Sequence, residues 1–117
     1  MRWLQISSDA MSVLWAGMMN QLECRFDGNQ CILVGALSFD SAAESEKLIA
    51  RLVEREESLS VSFAEITHVD SAATAFMVEL YRQVSLAGGQ LSFVDVPAPL
   101  LSVLAMTRLD TVLPIAT

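Results

Sequence analysis

From Leu22 onward the chain alternates strand-like and helix-like runs, and this alternation restricts the fold more than any other feature. Leu22 to Phe26 alternates apolar and polar residues, Asp27-Gly28-Asn29 supplies a turn, and Cys31 to Val34 is continuously apolar. That is a hairpin signature. Gly35-Ala36-Leu37-Ser38-Phe39 leads out of it, and Ser41-Ala42-Ala43-Glu44 has the spacing of a capping box. A helix over residues 41–55 follows, with Ala42, Glu46, Ile49 and Val53 on one side and Leu48 and Leu52 nearby. The charged run from Arg51 to Glu57 reads as a solvated terminus and loop. Leu59, Val61 and Phe63 alternate with Ser60 and Ser62, as in a half-buried strand. The helix from Ala72 to Ala87 carries Ala73, Phe76, Met77, Leu80, Val84 and Ala87 in one stripe, and Gly88-Gly89 stops it. Leu91, Phe93 and Val94 form another strand. Pro97-Ala98-Pro99 breaks it and opens a short helix from Leu100 to Met106. Val112 to Ile115 reads as a short closing strand or extended tail.

Strands joined through helices are parallel neighbours with right-handed crossovers. The expected fold is therefore α/β: an initial hairpin feeding a mixed, largely parallel sheet, with helices mainly on one face. Residues 21–117 form this domain, and residues 1–20 read as an N-terminal extension. There Asp9 caps a short helix from Ala10 to Met18, carrying Met11, Leu14, Trp15 and Met18 at helical spacing. The extension packs on the domain or contacts another chain; alternatively, the natural start is Met18 or Met19.

A chain of 117 residues is one domain with one ordinary core. Hydrophobic residues make up 53% and charged residues only 18%, against about a quarter charged in a typical domain. Either the core is generous or a partner covers part of the surface. The net charge is −7, and the seven Lys and Arg residues are not clustered. That argues against nucleic acid and anionic membranes, and suits a basic protein partner. No run approaches the ~20 apolar residues that cross a bilayer, so no direct membrane insertion is expected. Met1 to Met19 makes a poor secretory signal, and the expected location is cytoplasmic. Cys24 and Cys31 are too few for a disulfide framework. A turn at Asp27-Gly28 sets them facing each other across the hairpin, yet both are expected to be reduced in such a compartment.

The segment His68-Val69-Asp70-Ser71-Ala72-Ala73 carries most of the functional argument. It joins the strand-like run to the long helix. A serine there sits at a helix N-terminus, where unpaired backbone N–H groups favour negative charge. That is a good place to accept or sense a phosphoryl group. The plainer role, helix capping by Asp70 or Ser71, is compatible with it. His68, the one histidine, reads as a loop residue. Neighbours in one extended segment do not converge on one reacting atom, and no Gly-rich elbow surrounds Ser71, so a Ser/His/Asp site is not expected. Metal ligands are too few, and no catalytic residue or cofactor site is legible.

From Asp40 to the C-terminus the chain resembles the STAS domain, the fold of anti-sigma-factor antagonists. The resemblance lies in Ile66-Thr67-His68-Val69-Asp70-Ser71-Ala72-Ala73, then Phe76-Met77-Val78-Glu79-Leu80, Ala87-Gly88-Gly89-Gln90-Leu91-Ser92-Phe93, Val96-Pro97-Ala98-Pro99-Leu100 and the tail from Met106 to Ile115. Val34 to Asp40 is similar to the family's second strand and its exit, so the likeness covers about residues 20–117. It implies a non-catalytic bacterial protein-binding module. In the partner-switching branch it implies that Ser71 is phosphorylated by an anti-sigma factor that is a Ser/Thr kinase, and that the unphosphorylated form binds it. Asp70, Ala72, Ala73 and Thr74 are then partner contacts beside Ser71. Asp-Ser-Ala-Ala also resembles the small STAS subunit of the Mla phospholipid-trafficking ABC transporter, which docks on the ATPase subunit without phosphorylation. Three departures stand out: Ala73 replaces the family glycine, Thr74 the following leucine, and Arg108 a glycine near the C-terminus.

Overall fold

The computed structural model describes residues 22–55 and 58–116. Strand β1 (Leu22–Asp27) and strand β2 (Gln30–Leu37) pair antiparallel. Gly28 takes φ +63° in the loop between Asp27 and Gln30, a conformation that glycine adopts without steric cost. A 3-10 turn, Phe39–Ser41, then leads into helix α1 (Ala42–Glu54). Strand β3 (Leu59–Val69) lies parallel to β2, helix α2 (Ser71–Leu86) crosses back, and strand β4 (Leu91–Val94) lies parallel to β3. Helix α3 (Ala98–Met106) and a 3-10 turn, Leu109–Thr111, complete the described chain. The sheet order is β1-β2-β3-β4. This is the mixed, largely parallel α/β arrangement that the alternation implies. The expected N-terminal helix from Ala10 to Met18 lies outside the described residues.

One core holds the layers together. Cys31, Leu33 and Leu37 of β2, Leu59, Val61 and Phe63 of β3, and Phe93 of β4 point to one side. There they meet Leu48, Ile49 and Leu52 of α1, Phe76, Met77, Leu80 and Val84 of α2, and Leu100 and Leu104 of α3. Val34 and Ala36, on the alternate side of β2, are buried but stand outside that cluster. The helices therefore share one face of the sheet. On the other face Arg25 of β1 and Glu65 of β3 form an ion pair across β2.

The structure corrects several expectations. Strand β3 does not end at Phe63 but runs to Val69, so His68 is a strand residue opposite Ala36 rather than a loop residue. The pairing drifts from Gln30 with Ser60, to Val34 with Glu65, to Ala36 with His68. Each drift is one extra residue in β3, a bulge that breaks the period-2 pattern without ending the strand. The Ser41–Glu44 capping box does not form. Ser41 is fully buried; its hydroxyl donates to the carbonyls of Ala36 and Ser38 and accepts from the Ser38 N–H. The closing strand reduces to a single parallel bridge between Phe93 and Ile115. Cys24 and Cys31, expected as two reduced thiols, lie side by side across the hairpin with Cα atoms 6.2 Å apart, within reach of a disulfide. Both lie on the core-facing side, one register step apart: Cys24 pairs with Leu33 and Cys31 with Phe26.

Two measurements test this account. Leu80 is fully buried against the core, so Leu80→Ala should cost about 2–5 kcal/mol in chemical denaturation. A loss below about 0.5 kcal/mol, the usual range for surface changes, would show that α2 is not seated as described. Arg108 stands in the left-handed region, φ +61° and ψ +18°. A side chain is disfavoured there. Arg108→Gly should therefore raise stability by about 0.5–1 kcal/mol, read as a higher denaturation midpoint. A fall would mean that the arginine side chain outweighs its backbone strain.

Candidate functional site

The site is built where the parallel strands β2 and β3 end and their helices begin. Asp70 follows Val69 directly and takes extended backbone angles, φ −135° and ψ −165°, as the N-cap of α2. Its Oδ1 accepts the Ala72 N–H at 2.8 Å. Its Oδ2 accepts the Phe39 N–H at 3.2 Å, from the turn that follows β2. The Asp70 N–H donates to the Leu37 carbonyl at 3.3 Å, and the Asp70 carbonyl accepts from the Ala73 N–H at 3.0 Å. One residue thus ties the exit of β2 to the start of α2 with main-chain and side-chain bonds together. The N-cap charge also sits favourably at the positive end of α2.

Ser71 is the first residue of α2 and is exposed. Asp70 does the capping, so the Ser71 hydroxyl is left free of that task and faces solvent. Thr74, one turn on, is half-buried, and its Oγ1 is buried without a hydrogen-bond partner. Ala72 is half-buried at the surface. Ala73 was expected among the contact residues, but it is 0% exposed and belongs to the core. It supports the surface from beneath, as part of the core. No hydrogen bond joins His68 to Asp70 or Ser71; His68 is an exposed strand residue, and the two Asp70 oxygens accept from backbone N–H groups. Among the described residues no nucleophile, base and orienting group converge at this junction. Among the described residues no group of three or more His, Cys, Asp or Glu side chains could hold a metal. No described helix is long and apolar enough to cross a membrane.

Two apolar clefts flank Ser71. One, about 200 Å³, lies between α2 and α3 and is lined by Val69, Asp70, Ser71, Thr74, Pro99, Leu100 and Val103. The other lies between α1 and α2, with Phe39 and Ala72 in its lining. Large apolar side chains stand exposed around this end: Phe39 is 69% exposed and Val103 41%. Nothing in the motif pointed to Phe39 or Val103. Phe39 belongs to a turn 31 residues earlier, and Val103 looks like ordinary core filling on a short apolar helix. Phe39 was legible only as an aromatic in a loop exit, a weak sign of a contact surface.

The geometry has close counterparts among solved structures. A Thermotoga maritima protein described as a candidate anti-sigma factor antagonist aligns at 18% identity with a TM-score of 0.66, covering 80% of this chain and 84% of that one. The anti-sigma factor antagonist SpoIIAA in its unphosphorylated form aligns at 10% identity and TM-score 0.58, covering 82% and 87%. The Bacillus cell fate determinant SpoIIAA in its phosphorylated form aligns at 12% identity and TM-score 0.59, covering 82% and 91%. At these identities the likeness shows a shared fold. A search of curated proteins finds no match. The sequence profile described as "Mlab, STAS domain" matches residues 24–114. The chain belongs to the STAS domain family.

Proposed function

We propose that this chain is a non-catalytic STAS docking subunit whose protein partner seats on the face around Ser71. The observation that carries the reading is the exposed Ser71 hydroxyl, spared from capping by Asp70 and set between two apolar clefts. The partner we favour is the ATPase subunit of an Mla-type phospholipid ABC transporter. The matching profile, that of the Mlab STAS domain, supports it, and the exposed Phe39 and Val103 support a covering chain of either kind. On this reading Ser71 is a neutral contact and carries no phosphate.

A second reading is supported by the same hydroxyl. Ser71 stands at the N-terminus of a sixteen-residue helix, where a phosphate dianion is favourably placed. The chain then acts as an anti-sigma-factor antagonist, binding an anti-sigma factor that is a Ser/Thr kinase until Ser71 is phosphorylated. Either partner places the chain in a bacterial cytoplasm. Tagged full-length protein, purified from its native cells and analysed by mass spectrometry, separates the two. A transporter ATPase with unmodified Ser71 supports the first. A kinase with phosphorylated Ser71 supports the second. A copurifying enzyme of neither kind, or turnover of ester or phosphate substrates abolished by Ser71→Ala, sinks both.

Two variants probe the face itself. Phosphoserine carries about −1.5 to −2 charges, and Ser71→Glu approximates it. The helix N-terminus tolerates that charge, while a buried contact does not. Ser71→Glu should leave the thermal midpoint nearly unchanged and weaken partner binding at least tenfold, about 1.4 kcal/mol; Ser71→Ala should bind as wild type. Equal binding by all three would remove Ser71 from the interface. Asp70→Ala should cost about 1–2 kcal/mol of stability by loss of the cap alone, and should lower amide-exchange protection at both Ala72 and Phe39. Unchanged exchange at Phe39 would show that the bridge between the two helix starts is not made.

A further inference from the structure

The cleft between α1 and α2 has a specific shape. On α1 its lining falls at Ala42, Ser45, Glu46 and Ile49; on α2 it falls at Ala72, Ala75, Phe76 and Glu79. Both sets have the spacing i, i+3, i+4, i+7, the stripe that one helix shows to another. α1 and α2 each return from the end of one parallel strand to the start of the next, so the stripes run side by side and form a valley. Small residues line its upper end, next to Ser71: Ala42 and Ser45 on one bank, Ala72 and Ala75 on the other. Small side chains let a third helix approach closely and set its ridges into this groove. The cavity, about 260 Å³, has room for side chains of that helix and reaches down to the core residues Leu37, Ile49 and Phe76 at its floor.

The charges are one-sided. Among the described residues, Glu46 and Glu79 are the only charged ones lining the valley. Asp40 lies in the turn beside Phe39 and is exposed. Glu79 is offset by its bonds to Arg82 and Gln83, which hold its carboxyl down at about 2. Glu46 forms no ion pair among the described residues. The whole chain carries −7.

We infer that the valley between α1 and α2 receives an amphipathic helix of the docking partner, with an apolar face against Phe39 and the alanines and a basic flank toward Glu46 and Asp40. The inference rests on the docking reading of the Ser71 face and names the chemistry of what docks. An apolar face laid in a groove supplies the affinity, and the basic flank fixes orientation and speeds encounter.

The test is photo-cross-linking in the full-length protein within its native cells. p-Benzoylphenylalanine is placed at Ala75, which is exposed on α2, and separately at Ser71. Mass spectrometry then identifies the adduct peptide. The expected adduct at Ala75 is a partner segment with helical apolar periodicity and net positive charge. That segment, made as a synthetic peptide, should bind the full-length protein and lose at least tenfold affinity with Ala75→Arg or Glu46→Lys. It should lose little with Glu23→Lys, the same charge change on strand β1. Equal losses from Glu46→Lys and Glu23→Lys would mean unspecific attraction to an acidic protein and would overturn the inference. So would an Ala75 adduct to a second copy of the chain, to its own residues 1–21, or to an acidic or non-helical segment. An adduct at Ser71 with none at Ala75 would overturn the valley inference and leave the docking reading standing. No partner adduct at either position would overturn both.

Discussion

The carboxylate of Asp70 is the interaction on which the rest of the site depends. Parallel strands end with their last backbone groups pointing at nothing, and each following helix starts with N–H groups that its own turns cannot satisfy. A single side chain meets both needs here, one oxygen on the Ala72 N–H and the other on the Phe39 N–H. Because the two recipients belong to different crossovers, the bond sets the distance between the start of α2 and the turn before α1. That distance is also the width of the surface at this end. The same bond relieves Ser71 of capping, which is why a hydroxyl at a helix start stays exposed.

The functional properties follow from restraint in chemistry. Among the described residues no base is bonded to Ser71, no carboxylate to His68, and the acids do not converge. What the site presents is shape, an exposed aromatic and an exposed hydroxyl at a helix start. Under the proposed docking role, binding and its control would use the same few atoms. The unpaired Thr74 hydroxyl at the floor of one cleft fits this picture: a buried polar atom left unmatched costs stability, and a partner group reaching it would remove that cost.

Most of this architecture was readable from residue patterns. The hairpin, the two long helices and the sheet class follow from periodicity and turn chemistry, and the junction at Asp70 and Ser71 marked the site. The misreadings have physical causes. β3 lost its alternation at Ala64 and Thr67 because bulges insert extra residues, so a strand of eleven residues looked like one of five. Ser41 had the sequence of a cap, but burial committed its hydroxyl to Ala36 and Ser38. Ala73 looked like surface because it adjoins Ser71, yet helical geometry turns it inward. Phe39 and Val103 were invisible as site residues because tertiary contacts alone bring them to Ser71.

All the described helices lie on one side of the sheet, and among the described residues no second layer covers the other side. A bare sheet with an apolar centre would be adhesive, and Val34 stands at that centre. It is nonetheless only 3% exposed. Arg25 and Glu65, on the strands to either side, reach toward each other across β2, each in register with its neighbour there, Ile32 or Val34. An arginine's aliphatic stem can shield apolar surface while its charged head stays in water, and this pair lies on the face that Val34 shares. The pair's worth therefore lies less in attraction between charges, which is small at a surface, than in waterproofing. It gives the open face of the sheet a charged surface, in contrast to the apolar clefts at the end that carries Ser71.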